Sequence, residues 1–194
     1  MKKEYLSFVI LLITTFGFSQ RYKVLKGSLE SLKGISEYNI TFDYSAVEVH
    51  GYESEGAFLK EKMDKRKNKE GKAEEFKKEW FESRTTKYEP NFINYFNERF
   101  TNNEIELVNN SESKYTMNLK TTWIYPGYFS EDAKISVVIN VFETANPKNI
   151  IAKIKFNRVR GIDKEQFNIN LSNRIANAYE KVAKNLAMQL KRFL

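Results

Sequence analysis

The stretch "KYTMNLKTTWIY", residues 114 to 125, decides the fold class that we expect for this chain. Its bulky residues alternate with small or polar ones, and this period of two predicts a β-strand with one buried face. The alternation puts Trp123 in the core, and Tyr125 continues the same face to the end of the strand. The residues predicted on this face are Tyr115, Met117, Leu119, Thr121, Trp123 and Tyr125.

Further strands are predicted on both sides of this stretch. "AKISVVINVFET", residues 133 to 144, alternates in the same way, and "NIIAKIKFNRV", residues 149 to 159, follows a turn with an Asn-Pro step. Three consecutive strands with short connections predict an antiparallel meander. Upstream, "YNITFDYSAVEV", residues 38 to 49, predicts another strand with one wet face. The segment "RYKVLKGSLESLKGISE" is compatible with a short strand followed by a loop, and the pattern does not decide it.

Helical patterns occupy the rest of the chain. Ser172 is the predicted N-cap of a C-terminal amphipathic helix whose stripe is Ile175, Tyr179, Val182, Leu186 and Leu190. Pro90 is predicted to start another helix. Residues 53–84, rich in Lys and Glu, predict a helical insert that is exposed in its first half and weakest at Gly71.

Together these elements predict an α+β fold. We expect a two-layer sandwich, with an antiparallel sheet of about four to five strands and amphipathic helices on one face.

The first nineteen residues predict a signal peptide. Lys2 and Lys3 precede an apolar run, and Gly17 and Ser19 are the small residues that a signal peptidase requires. The run is shorter than the ~20 apolar residues of a membrane anchor, which favours cleavage over an uncleaved anchor. We therefore expect export to the periplasm or outer-envelope surface of a Gram-negative bacterium. Residues 20–194 are expected to form a single domain.

The composition excludes several kinds of site. The chain has no cysteine and one histidine, His50, so disulfides, thiol nucleophiles, thiolate metal sites and multi-histidine metal sites are excluded. The sequence contains no G-x-S-x-G, Walker A or G-x-G-x-x-G motif. No catalytic residue, metal site or cofactor is therefore predicted.

Two surfaces are candidate contact sites. The net charge is +7, and much of the excess lies in residues 60–78, which predict a solvated helix with Glu-Lys pairs or a patch for an anionic envelope polymer. The candidate residues there are Lys65, Arg66 and Lys67. The second surface is the aromatic tip around the Pro-Gly turn, formed by Tyr125, Tyr128 and Phe129.

Nucleic acid is not an expected partner. Lys114 and Lys120 alternate onto the face opposite Trp123, whereas sheets that bind nucleic acid combine aromatic and basic side chains on one face.

Three segments resemble exported, uncharacterised proteins of Bacteroidota-type bacteria. They are "PGYF" (126–129), "VFETANPKNIIAKI" (141–154) and "RIANAYEKVAKNLAMQL" (174–190). The resemblance covers about residues 104 to 190 and implies export and a compact α+β domain. The order of elements is similar, more loosely, to small envelope domains of secretion and transport accessory proteins. The resemblance supplies no catalytic residues, and residues 53–84 have no counterpart in it.

Three functions remain open. The first is a non-enzymatic periplasmic or envelope-associated binding or accessory module, whose partner is an envelope protein or an anionic envelope polymer. The second is a hydrolase acting on an envelope substrate through carboxylates such as Asp43 and Glu48 with Asp132 or Glu143. The third is a structural envelope protein that self-associates along an exposed sheet edge.

Overall fold

The computed structural model describes residues 22–100, 102, 104–128, 131–161 and 170–194. The predicted signal peptide, residues 1–19, lies outside the described residues. The α+β class is confirmed, because one sheet and several helices share a core. The strands are β1 (Tyr22–Lys26), β2 (Glu37–Asp43), β3 (Glu48–Val49), β4 (Glu106–Val108), β5 (Tyr115–Tyr125), β6 (Lys134–Glu143) and β7 (Ile150–Arg160). The helices are α1 (Glu55–Asp64), α2 (Lys72–Ser83), α3 (Glu89–Asn97) and α4 (Leu171–Leu190), with a π-helical turn at Arg84–Tyr88.

The prediction of about four to five antiparallel strands is wrong. The sheet has seven strands in the order β1-β7-β6-β5-β2-β4, and β3 pairs with β5 beyond the end of β2. Strands β5, β6 and β7 form the predicted antiparallel meander, and β1 adds to it antiparallel. Strands β2 and β3 instead lie parallel to β5, and β4 lies parallel to β2. Parallel neighbours need a long crossover, and α1, α2 and α3 lie in the connection between β3 and β4.

Residues 53–84 contain two helices, α1 and α2, rather than a single one. Gly71 adopts a left-handed φ of 71° immediately before α2, a conformation that glycine adopts without a steric penalty. The helical segment is therefore interrupted before α2, next to Gly71, the predicted weak point. The first half is not simply exposed, because Phe58 and Leu59 are buried. The ring centroid of Phe58 lies 4.7 Å from that of Trp80 in α2.

Helix α4 covers the centre of the sheet with its predicted apolar stripe. All five stripe residues are buried. The cap is Asn170 rather than the predicted Ser172: the Asn170 side chain accepts hydrogen bonds from the backbone N–H groups of Ser172 and Asn173. A Cβ atom at Gly161 would lie 2.8 Å from the backbone nitrogen of Ala178, so a glycine at the end of β7 permits the close approach of α4.

A β-bulge in β5 changes which residues face the helices. Thr121 pairs with Val137, but Trp123 pairs with Ser136, so Thr122 is an extra residue in β5. The alternation is thereby reversed, and Ile124, only 1% exposed, takes the core position. The predictions that Trp123 is a core residue and that Tyr125 continues the buried face are wrong for this reason.

Candidate functional site

The sheet has one face that no helix covers within the described part of the chain. We call it the open face. The opposite face supplies the strand residues of the hydrophobic core, which includes residues of α1 to α4. On the open face, polar side chains pair across strands: Lys120 Nζ donates to Asp43 Oδ2 at 2.9 Å, and Asn118 Nδ2 donates to Thr41 Oγ1 at 3.0 Å. Such a sheet surface offers its side chains to a ligand.

Three aromatic side chains form a cluster at one end of the open face. Strand β3 brings His50 to this place, since Val49 pairs with Ile124 and the His50 N–H donates to the carbonyl of Ile124 at 2.9 Å. The His50 ring lies edge-on to Trp123 and Tyr125, at centroid distances of 5.5 and 5.2 Å. The Trp123 and Tyr125 rings are near parallel, 6.4 Å apart. We call these three residues the aromatic cluster.

Two cations lie over the rings of the aromatic cluster. The Arg158 guanidinium is 5.2 Å from the centroid of Trp123, and Lys134 Nζ is 5.2 Å from the centroid of Tyr125. A cation over a ring face is attracted by the electrons of the ring. The cluster therefore combines a flat apolar surface with positive charge, a combination that suits a ligand with both sugar or aromatic rings and anionic groups.

The backbone beside the cluster is irregular in two strands at once. Strand β7 has an extra residue where β5 has one, because Ile135 pairs with Val159 while Val137 pairs with Phe156. Arg158 adopts a φ of 47°, the one left-handed non-glycine among the described residues. Its N–H donates to Ser136 Oγ at 2.9 Å. Backbone strain of this kind concentrates at functional sites, and here it directs Arg158 over Trp123.

The aromatic tip extends beyond the cluster. Tyr128 is 76% exposed, and it exchanges two backbone hydrogen bonds with Glu131. Tyr125 Oη donates to Glu131 Oε2 at 2.5 Å, and this hydrogen bond raises the pKa of the Tyr125 phenol. Gly127 adopts a φ of 77°, and a Cβ atom there would lie 2.4 Å from the Glu131 carbonyl oxygen. Phe129 lies outside the described residues.

The three predicted basic residues follow the end of α1 and differ in their surroundings. Lys65 Nζ donates to Glu61 Oε1 at 2.5 Å. The Arg66 guanidinium lies over the Phe76 ring at 4.3 Å. Lys67 is exposed. Two of the three cations are thus held by contacts within the helical region.

Lys65 is held as a cation by its neighbour on α1. The hydrogen bond to Glu61 is the largest cause of the raised pKa of Lys65.

The carboxylates proposed for a hydrolase are not gathered into one site. Asp43 is held by Lys120, and Asp132 forms an ion pair with Arg160. Asp132 lies two residues before β6, whereas Glu143 ends that strand. A strand of this length separates its ends by about 30 Å. Asp132 and Glu143 therefore cannot both belong to one carboxylate pair of the kind that glycoside hydrolysis requires.

Lys120 and Trp123 share one face of β5, contrary to the expectation from uninterrupted alternation. The bulge at Thr122 puts Lys120 and Trp123 on the same face, since Lys120 pairs with Val138 and Trp123 with Ser136, two residues apart in β6. Basic and aromatic side chains therefore do share the open face. Lys114 lies just before β5 with its ammonium group over Tyr115.

Comparison of the chain with protein-family models, with curated proteins and with solved structures found no significant match. Within the described ranges, no three His, Asp or Glu side chains are grouped as metal ligands would be. None of the helices described is both long and apolar enough to span a bilayer.

Sequence reasoning missed His50, Lys134 and Arg158 as members of this site. A lone histidine after a short strand carries no signal of its ring contacts. The bulge in β5 leaves no mark in the alternation, because Thr122 falls at a polar position of the pattern. The bulge in β7 does leave one, because Arg158 stands where the alternation of Ile154 and Phe156 calls for an apolar residue.

Proposed function

We propose that the protein is a non-enzymatic, exported, envelope-associated binding module whose ligand contacts the open face at the aromatic cluster. The observation that carries this proposal is the position of Trp123 and Tyr125 on an uncovered sheet face, each with a cation over its ring. Large aromatic side chains on a soluble surface are typical of interaction sites when they form a patch rather than standing alone.

Binding explains the geometry better than catalysis does. Of the carboxylates considered for a hydrolase, Asp43 and Asp132 each form an ion pair, and Asp132 and Glu143 lie at opposite ends of β6. The aromatic cluster offers contact area and charge without a nucleophile beside a base. Trp123 and Tyr125 lie on β5 and His50 directly follows β3, so the cluster suits a preformed binding surface.

The aromatic tip extends the proposed surface. Tyr128 is exposed and continues from Tyr125 through a short turn. A ligand that lies along Trp123 and Tyr125 therefore reaches the aromatic tip.

Co-sedimentation with an isolated Gram-negative cell envelope tests the proposal. We expect the mature protein to sediment with the envelope and the W123A/Y125A double variant to remain in the supernatant. Phe81→Ala is the matched control, since Phe81 is an exposed aromatic residue on α2. Equal sedimentation of wild type and double variant contradicts the proposed site. N-terminal sequencing of protein from the cells tests export separately, with Gln20 as the expected first residue.

A further inference from the structure

Four lysines stand opposite one another on the open face of strands β1 and β7. Lys23 pairs with Lys155, and Lys26 pairs with Lys153. We call these residues the lysine quartet. Like charges directly opposite in a sheet destabilise it. None of the four ammonium groups forms a salt bridge within the described part of the chain. This concentration of uncompensated charge is not explained by the fold.

The quartet lies on the same face as the aromatic cluster. In β6, Val138 pairs with both Lys155 and Lys120, and Ser136 pairs with Trp123. Val138 and Ser136 are two residues apart and point to one side. Along β7, Lys153 and Lys155 are separated by about 6.6 Å, and Arg158 follows them toward Trp123. Positive charge therefore runs continuously from the quartet to the aromatic cluster.

Protection of a sheet edge explains only half of the quartet. Lysines on an edge strand hinder pairing with a second chain, and β1 is an edge strand. Lys153 and Lys155 belong to β7, which is paired on both sides by β1 and β6. Their charge protects no edge. Attraction of a ligand accounts for all four residues.

We propose that the lysine quartet binds the anionic groups of a linear anionic polysaccharide whose sugar rings contact Trp123 and Tyr125. Charge complementarity selects a polymer with repeated negative groups, since four adjacent ammonium groups exceed what a single anion neutralises. The aromatic rings at the end of the basic strip select a polymer built of rings. This inference rests on the proposed function and names the ligand class of the same face.

Calorimetric titration with two anionic polysaccharides tests the proposal. Heparin carries sulfate groups in addition to carboxylates, whereas polygalacturonate carries only carboxylates, so binding of heparin without binding of polygalacturonate indicates that sulfate is required. Dextran is the neutral control, and single-stranded DNA tests the other polyanion that an aromatic and basic sheet face binds. We expect saturable binding of at least one anionic polysaccharide, weakened by added salt. Dextran is expected not to bind, and DNA to bind more weakly than the polysaccharide.

The decisive variant is K153Q/K155Q, compared with K33Q/K184Q. Both remove two exposed or half-exposed lysines, so the net charge is the same, but Lys33 lies in the turn before β2 and Lys184 lies on α4, which packs on the opposite face of the sheet. We expect binding about thirtyfold weaker in K153Q/K155Q, from the contribution of each lysine beside an anionic surface, and near wild-type binding in the control. Glutamine keeps most of the side chain, and unfolding curves verify that both variants fold.

Each outcome has a distinct meaning. Equal weakening in both double variants overturns the quartet as a site, because only net charge then matters. Wild-type binding by K153Q/K155Q, with loss in W123A/Y125A, overturns the quartet but leaves the proposed function standing. Tighter binding of DNA than of either polysaccharide overturns the ligand class. No binding of any polymer, together with no sedimentation with the envelope, overturns both proposals.

Discussion

Thr121 and Trp123 are two residues apart in β5 and yet face opposite sides of the sheet. Thr121 is fully buried, with Oγ1 2.5 Å from Tyr179 Oη of α4. Trp123 pairs with Ser136 on the open face, next to His50 and Arg158. The extra residue Thr122 between them creates this reversal. Without it, the aromatic cluster would point into the core.

The reversal predicts an unusual order of mutational effects in β5. Ile124→Ala should lower the free energy of unfolding by about 2–5 kcal/mol, as for other buried isoleucines. Trp123→Ala should lower it by only about 1 kcal/mol, from partial burial and the Arg158 contact. Urea unfolding of both variants checks the order. A larger loss of stability for Trp123→Ala than for Ile124→Ala would mean that Trp123 is the core residue, as uninterrupted alternation predicts. That result would contradict the bulge.

The buried hydroxyl of Tyr179 should contribute to stability. Tyr179→Phe removes the partner of Thr121 and leaves a buried hydroxyl unsatisfied, so we expect a loss of about 1–3 kcal/mol. Tyr38→Phe is the matched control, because Tyr38 is also fully buried but its Oη has no hydrogen bond. It should be neutral or stabilising. Thermal unfolding of the two variants measures the difference, and equal losses would refute the role of the Thr121–Tyr179 hydrogen bond.

The fold class and the α4 stripe were predictable from the sequence, whereas the site was not. Strand β5 spans Tyr115–Tyr125, close to the predicted 114–125, because alternation reports which residues are buried. Pairing between distant segments has no such local signature. The parallel neighbours of β5 depend on where α1 to α3 pack, and β1 has a weak sequence pattern because a short exposed edge strand needs few apolar residues.

The same reasoning explains the errors at residue level. The prediction for Trp123 extended the alternation of Met117 and Leu119 along β5. That alternation holds as far as Thr121 and is interrupted by the extra residue Thr122. A bulge is stabilised by backbone hydrogen bonds and by side chains such as Ser136, and these partners are far apart in the sequence. Gly71 was predictable because glycine itself marks the break.

Glu55 should be a structural carboxylate rather than a catalytic one. It accepts a hydrogen bond from Trp80 Nε1 at 2.7 Å and forms an ion pair with Arg84, and both charged side chains are less than a fifth exposed. Glu55→Ala leaves both donors unsatisfied and should lower the free energy of unfolding by about 2–3 kcal/mol.

The control for Glu55 is Glu75→Ala, which breaks an exposed ion pair with Lys72. Exposed pairs contribute less than about 1 kcal/mol. Chemical denaturation of the two variants should therefore separate them clearly. Similar small losses would mean that Glu55 does not join α1 to α2.

Asp43 should make the protein less stable in acid. Hydrogen bonds from Ser45, followed by that from Lys120, lower the pKa of Asp43 from 3.8 to about 2. A carboxyl group with a lowered folded-state pKa stabilises the fold above its unfolded pKa, and this contribution disappears as the pH falls from about 5 toward 2. Solvent screening at this half-exposed site limits it to on the order of 1 kcal/mol.

The pH dependence is measured by unfolding wild type and Asp43→Asn at pH 7, 4 and 2.5. The wild type should be more stable at pH 7, and the difference should shrink toward pH 2.5. A difference that stays constant with pH would show that Asp43 is not stabilised in its charged form.

The most direct test of the central claim, that Trp123 on the open face contacts the ligand, is a fluorescence titration of wild type and Trp123→Phe with heparin and, in parallel, with polygalacturonate. The chain has two tryptophans, and Trp80 is 3% exposed in the core. We predict that at least one of these polysaccharides changes the wild-type emission saturably and leaves the emission of the variant, which comes from Trp80 alone, unchanged. An equal change in both proteins, or no change in the wild type at concentrations that saturate binding, would contradict the account.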